Sequence, residues 1–363
     1  MPRHANAVDF WRGFALISIF INHIPGIYYE RFTHRNLSIS DSAELFVFLA
    51  GWSLGLLVGS REGPRIGSAM LVVRLGGRAV AIYAAQILIS SVAIAILATT
   101  AYLAENPLLL EWHNAAALFQ DPALTHIGLV ALTHQLGYFD ILPLYVVLML
   151  AAPAFALVDR FARPWLVPLS LALYLASLVV PFTAPTWPVQ GQWFFNPFTW
   201  QLIFVLGFAL SRDEGLGAFV RRRIDIIRMV SLPVVVVTAA MVWFNWFPDP
   251  TRLPDPKLLF LNGKSFLTPI RLLQFLALVA VFSATYPLIE RIVPWLTEFF
   301  SALGRNSLNV FCVASVLSLV GQIIRFIYSG TFLVDTIVII AGVGLLWLTA
   351  WVSEWRETQT ARA

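Results

Sequence analysis

Ten separate blocks of mostly apolar residues, each about as long as a helix that crosses a bilayer, constrain this chain more than any motif does. They lie at residues 8–24, 43–59, 75–103, 137–158, 165–180, 193–210, 229–246, 270–289, 307–328 and 332–351. A crossing helix needs about 17 to 25 apolar residues, and lipid offers no partner for an open backbone group. The expected fold is therefore all-α, a polytopic integral membrane helical bundle of about ten transmembrane helices. Composition agrees. The 363 residues are 59% hydrophobic and 12% charged, whereas a soluble domain has about a quarter of its residues charged, and the mean hydropathy is +0.77. The first block follows Arg3 as a signal peptide would, yet it has no small-x-small cleavage site and carries Asp9, Arg12 and His23. It is expected to be retained.

The net charge of +4 points to topology rather than to nucleic acid, because the arginines sit in short connections and not along one face or tail. With the amino terminus inside, Arg3, Arg61, Arg65, Arg74, Arg78, Arg160, Arg163, Arg212, Arg221, Arg222, Arg223, Arg228, Arg291, Arg305, Arg356 and Arg362 fall on the cytoplasmic side. Arg31, Arg35, Arg252, Lys257, Lys264, Arg271 and Arg325 fall outside. Sixteen against seven predicts both termini in the cytoplasm. The long outer connections, 25–42, 104–136, 181–192 and 247–269, are rich in Pro, Trp, Phe and Asn, and 108–119 is expected to form a short helix lying in the interface. No repeat, linker or low-complexity run divides the chain, so residues 1–363 are expected to form a single membrane-embedded domain. Cys312 is the sole cysteine and lies inside an apolar block, which removes disulfide and Cys-metal chemistry within one chain.

Ionisable groups inside a span are expensive and mark paths or sites. The first block, DFWRGFALISIFINHIPG, has three. At 100° per residue, Arg12 and His23 differ by about 20° and Asp9 lies about 40° from His23, so the three share one face. His23 lies about 16 Å beyond Arg12 along the axis. Asp9 and Arg12 read either as a neutralising i, i+3 pair with a snorkelling arginine or as part of a polar path. His23, titrating near neutral pH, is a candidate general base.

In SDSAELFVFLAGWSLGLLVG, Asp41 and Glu44 stand three apart at a helix start, the pattern of a capping box that leaves a carboxylate able to orient an imidazole. Gly51, Gly55 and Gly59 bare one edge of this helix and are expected to let the first helix approach. Asp140 sits just inside the fourth block, and Asn196, Trp200 and Gln201 open the sixth. His113, His126 and His134 are too irregularly spaced for a metal centre and read as loop residues near headgroups. Arg221, Arg222 and Arg223 read as facing anionic lipid. Arg305, Asn306 and Ser307 open the ninth block, where amides and a guanidinium either cap a helix or hold a phosphate.

The stretches DFWRGFALISIFINHIPG and RNLSISDSAELFVFLAG, with GYFDILPLYVV, FNPFTWQLIFVLG and LGRNSLNVFC, span the first to the ninth block. In them the chain resembles the OpgC family, associated with succinylation of osmoregulated periplasmic glucans. The Arg12-x10-His23 spacing also looks like the wider acyltransferase 3 family. The resemblance implies a multi-pass protein of the bacterial inner membrane that moves an acyl group, succinyl or acetyl, from cytoplasmic acyl-CoA to a hydroxyl of a periplasmic glucan or other glycan. From the residues themselves, no metal and no nucleic-acid partner is expected, and the lipid bilayer is the expected surroundings. Carried onto this chain, His23 would be the base, with Asp41 or Glu44 orienting it. Arg12 and Asp9 would line the donor path, and Asp41, Glu44, Arg35 and Asn36 would form part of the external pocket; His34, Asp140, Asn196 and Gln201 are further expected substrate-binding residues. Arg74, Arg78, Arg305, Asn306 and Ser307 would hold CoA phosphates. Two positions depart from the family pattern: Asn22 stands before the histidine where Asp is common, and His34 stands before Arg35-Asn36, which makes a second imidazole an alternative base. A proton-coupled transporter or flippase, with Asp9, Arg12 and His23 as its polar path, is the competing class, and it predicts two related halves with paired broken helices.

Overall fold

The computed structural model describes residues 5–59 and 67–360. Arg3, Arg61, Arg65 and Arg362, used above to orient the chain, lie outside the described residues. The chain is helical almost throughout. Its α-helices are α1 (Ala7–Asn22), α2 (Ser42–Gly59), α3 (Ser68–Leu103), α4 (Ala116–Gln120), α5 (Pro122–Val130), α6 (Ile141–Val179) and α7 (Pro197–Ser211). They continue with α8 (Gly215–Arg222), α9 (Ile224–Trp243), α10 (Pro269–Phe282), α11 (Tyr286–Ile292), α12 (Pro294–Arg305), α13 (Ser307–Ile327) and α14 (Phe332–Thr360). The strands among the described residues are a two-residue antiparallel pair, β1 (Pro185–Thr186) and β2 (Gly191–Gln192).

Six helices, α2, α3, α6, α9, α13 and α14, are long and apolar enough to cross a membrane. The count reaches seven if α10 and α11, bent by 47° at the intervening break, form one span. This is a multi-pass helical membrane protein. Proline explains where helices break. Pro287 lies in the first turn of α11, where its missing N–H has no intrahelical partner to lose and its fixed φ favours starting a new helix. The fourth and fifth expected spans run together as α6, interrupted at Ala162 (φ −146°, ψ 42°) two residues before Pro164. The sixth is shorter than expected, the fifteen residues of α7. The connection 104–136 forms not one interfacial helix but a 3₁₀ stretch (Pro107–Asn114) followed by α4 and α5.

Two compact units are present, each assembled from distant parts of the chain, and one of the crossings between them falls within α3. The first comprises residues 5–36, 88–116 and 282–360. Here α1 is flanked by α12, α13 and α14, at contacts where small residues allow close approach. A Cβ on Gly13 would lie 1.9 Å from the Phe300 carbonyl oxygen, and one on Gly304 1.9 Å from that of Asp9. Gly342 of α14 abuts the Phe20 ring, and Gly321 of α13 abuts Ile24.

The second unit comprises 37–59, 67–87 and 117–281. The glycine edge of α2 was expected to receive α1, but α7 occupies it. A Cβ on Gly51 would meet the Phe204 carbonyl oxygen at 1.9 Å, and one on Gly55 would meet Ser211 Oγ at 1.9 Å. The contact is reciprocal, since Gly207 of α7 lies against the Phe48 carbonyl. A small-residue edge specifies close approach without naming its partner. The matching glycine on α7 decides it.

Candidate functional site

In the first unit, α1 starts at Asn6, whose side-chain oxygen accepts the Asp9 amide at 2.9 Å while its Nδ2 donates to Asp9 Oδ2 at 2.6 Å. Asp9 Oδ1 pairs with Arg12 Nη1 at 3.2 Å, and the same nitrogen reaches the Gly304 carbonyl at 3.4 Å. The i, i+3 neutralisation read from the sequence is thus formed, with both side chains mostly buried.

His23 ends α1 as its C-cap, half-buried. Its carbonyl accepts Gln322 Nε2 at 2.6 Å, and Gln322 Oε1 lies 2.9 Å from His113 Nε2. Beyond His23 the chain closes around Glu30. Arg35 pairs with Glu30 Oε1 at 3.2 Å, and Asn36 Nδ2 donates to the Glu30 carbonyl at 2.7 Å. Thr33 Oγ1 donates to Asn22 Oδ1 at 2.8 Å, so the asparagine preceding the candidate base anchors this loop. The His34 ring lies 5.8 Å from that of Phe14, a residue nine positions before His23 on α1. The segment bearing the second imidazole therefore folds back along α1.

The second unit brings Asp41 and Glu44 together with two cations. The capping box forms as the spacing predicts. Asp41 Oδ1 accepts the Ala43 amide at 2.9 Å, and Glu44 Oε2 accepts the Asp41 amide at 3.0 Å. The remaining oxygens are ion-paired: Asp41 Oδ2 with Lys264 Nζ at 2.6 Å, and Glu44 Oε1 with Arg271 Nη2 at 2.6 Å and Nε at 2.8 Å. Burial opposes ionisation of Asp41, but Lys264 and Arg271 outweigh it and hold this carboxyl below the usual carboxylate range. Lys264 Nζ also lies 5.5 Å and 5.8 Å from the ring centres of Phe195 and Phe194.

Other expected site residues separate by what their polar atoms already do. Asn196, fully buried, caps α7 by accepting the Phe198 amide, and its amide nitrogen donates to the Phe182 carbonyl and Ser177 Oγ. Gln201 donates to the Ser170 and Phe198 carbonyls and accepts the Ser170 hydroxyl at 2.6 Å. Both amides are held in the packing of α6 against α7, which leaves little capacity for a substrate. Asp140 stands at the N-cap of α6 without a side-chain capping bond.

Arg305 is held by Glu354 of α14 through Nε at 2.7 Å and Nη2 at 2.6 Å, and Asn306 Nδ2 donates to the Ala302 carbonyl. Asn306 both ends α12 and starts α13. Carbonyls of one helix end therefore adjoin amides of the next before Ser307, and the opposed dipoles weaken an anion site there. Arg74 and Arg78 lie exposed on α3, in the other unit.

Sequence reasoning missed Lys264, Arg271, Gln322, Arg325 and Asp335. The signal was available. Arg271, Arg325 and Asp335 are ionisable groups within expected spans, the same criterion that selected α1. His113 was read as a loop histidine, yet it is part-buried against Gln322. Burial pushes its imidazole below the ordinary value, opposed by the Gln322 bond.

No curated protein and no solved structure matches the chain. A family model described as OpgC protein matches residues 3–358, nearly the whole length, and so the chain belongs to the OpgC family and is an acyltransferase-type membrane enzyme of glucan modification.

Proposed function

We propose that the protein transfers an acyl group, succinyl or acetyl, from acyl-CoA at the cytoplasmic face of the bacterial inner membrane to a hydroxyl of a periplasmic glucan. In this reading ten spans place both termini inside, with α1, α7 and the two halves of α6 each crossing. The observation that carries it is the polarity of α1. Arg12, paired to Asp9, stands near one end, and His23 closes the other about 16 Å away.

Transfer forms a bond between the acceptor oxygen and the acyl carbon and breaks the carbon–sulfur bond of the thioester. His23 takes the hydroxyl proton as the oxygen attacks, and that proton passes to the departing CoA thiolate. Arg12 lies on the donor route, where its charge, half-neutralised by Asp9, attracts the polar part of the donor arm. The exposed guanidinium groups of Arg74 and Arg78 suit the CoA phosphates. Asp41 and Glu44 are anchored by Lys264 and Arg271. In the second unit they offer a charged, preorganised hydrogen-bonding surface suited to a polar acceptor.

Purified protein in nanodiscs, given succinyl-CoA and periplasmic glucan, should release free CoA and yield acylated glucan by mass spectrometry. A folded His23→Ala protein should lose this turnover while still binding acyl-CoA. Turnover by that variant at the wild-type rate would remove His23 as the base, and glucan-independent uptake without CoA release would replace transfer with transport.

A further inference from the structure

A helix that ends inside a membrane protein leaves its last carbonyls without intrahelical partners, and without water they must be met by side chains. At the His23 end of α1 those side chains come from one stripe of α13. Ser318, Gln322 and Arg325 are spaced i, i+4, i+7, which places them on one face. Ser318 Oγ donates to the Phe20 carbonyl at 3.1 Å, and Gln322 Nε2 to that of His23 at 2.6 Å. Arg325 donates through Nη1 to the Pro25 carbonyl and through Nη2 to that of Gly26 at 2.7 Å. Arg325 is itself held by Asp335 of α14 at 2.6 Å, and the other oxygen of Asp335 accepts the Tyr28 amide at 2.7 Å. The backbone on both sides of His23 is thus fixed by a side-chain ladder.

Gln322 is the rung that touches His23, and its orientation is set from outside α13. Because its Nε2 donates to the His23 carbonyl, its Oε1 faces His113. An amide oxygen only accepts, so His113 donates through Nε2–H. That ring is delivered by an unusual backbone. His113 and the following Asn114 have φ of +57° and +63°, left-handed values that non-glycine residues rarely adopt and that cluster where a side chain must be aimed.

We propose that Gln322, locked by His113, is a positioning residue that fixes the backbone from which the His23 side chain projects for acyl transfer. The proposal rests on His23 being the base. Displacement of a reacting group by about 1 Å can lower turnover about a hundredfold. Gln322→Met removes both hydrogen bonds at similar volume, and His113→Phe removes the lock without altering α13.

Each variant, the double variant and His23→Ala would be assayed in nanodiscs for kcat and for KM toward succinyl-CoA and glucan, with unfolding temperature as the folding control. The expected result is a tenfold to hundredfold loss of kcat in each single variant, unchanged KM, and a double variant no slower than Gln322→Met. Wild-type kcat in either folded single variant, a loss confined to KM, or losses that multiply in the double variant overturns the proposal. Should Gln322→Met fail to fold, His113→Phe decides alone. A fully active His23→Ala protein overturns the transfer mechanism itself, whereas an inactive one beside a fully active Gln322→Met protein overturns the positioning role alone.

Discussion

Arg271→Met tests whether the cluster in the second unit is a single electrostatic assembly. Glu44 is fully buried, with its side chain 0% exposed, and Arg271 is 8% exposed. Arg271 Nη2 stands 2.6 Å from Glu44 Oε1 and 3.7 Å from Asp41 Oδ2. At an effective dielectric constant near 20 these separations correspond to attractions of about 6 and 4 kcal/mol. Most of that offsets the desolvation of the charges, so the pair adds little net stability. Removing one partner is different. Lys264 remains against Asp41 at 2.6 Å, but Glu44 loses the guanidinium that its Oε1 faces and becomes an uncompensated buried carboxylate, which costs about 3–5 kcal/mol. Glu44→Gln should rescue much of this loss, because the amide oxygen still accepts the Asp41 amide and the charge is gone. A coupling of about 1–3 kcal/mol between the two sites is expected. Reversible denaturant unfolding in mixed micelles measures all four corners of the cycle. The reasoning fails if Arg271→Met lies within about 0.5 kcal/mol of wild type, the range of an inert surface change, or if the double variant equals the sum of the singles.

Gly51→Ala should separate α2 from α7, since its Cβ would sit 1.9 Å from the Phe204 carbonyl oxygen, a rigid backbone atom. A destabilisation of about 1–3 kcal/mol, as for overpacking, should appear as a lower unfolding temperature, whereas Gly76→Ala, with open space at its Cβ inside α3, should not lower that temperature. His113 supplies a pH dependence. Burial lowers its folded pKa below 6.5, so its contribution to stability is present above pH 6.5 and is lost as pH falls through the folded value. Wild-type unfolding temperature should therefore drop on acidification from pH 7 to 5 more steeply than that of His113→Gln, and parallel curves would contradict the buried neutral ring.

Legibility in the sequence followed the range of the interaction. Residues three or four apart on one helix were readable, because helical geometry alone brings them together. The capping box of Asp41 and Glu44 and the pair of Asp9 with Arg12 formed as their spacing predicts. Length and apolarity established a multi-pass helical protein, because lipid admits few other solutions. Arg271 and Gln322 were legible only as anomalies inside apolar spans. Their partners lie 227 and 299 residues away along the chain, and nothing local encodes such a pairing.

By itself, then, the sequence determined the multi-pass helical class and the local caps, each an outcome of periodicity, lipid and neighbours within one turn. Tertiary structure decided which helix fills the glycine edge of α2, which cations neutralise Asp41 and Glu44, and which side chains hold the end of α1. Those choices depend on shape and charge matching between segments far apart in the chain, and a buried polar group can be satisfied only by whatever the fold brings within hydrogen-bonding distance.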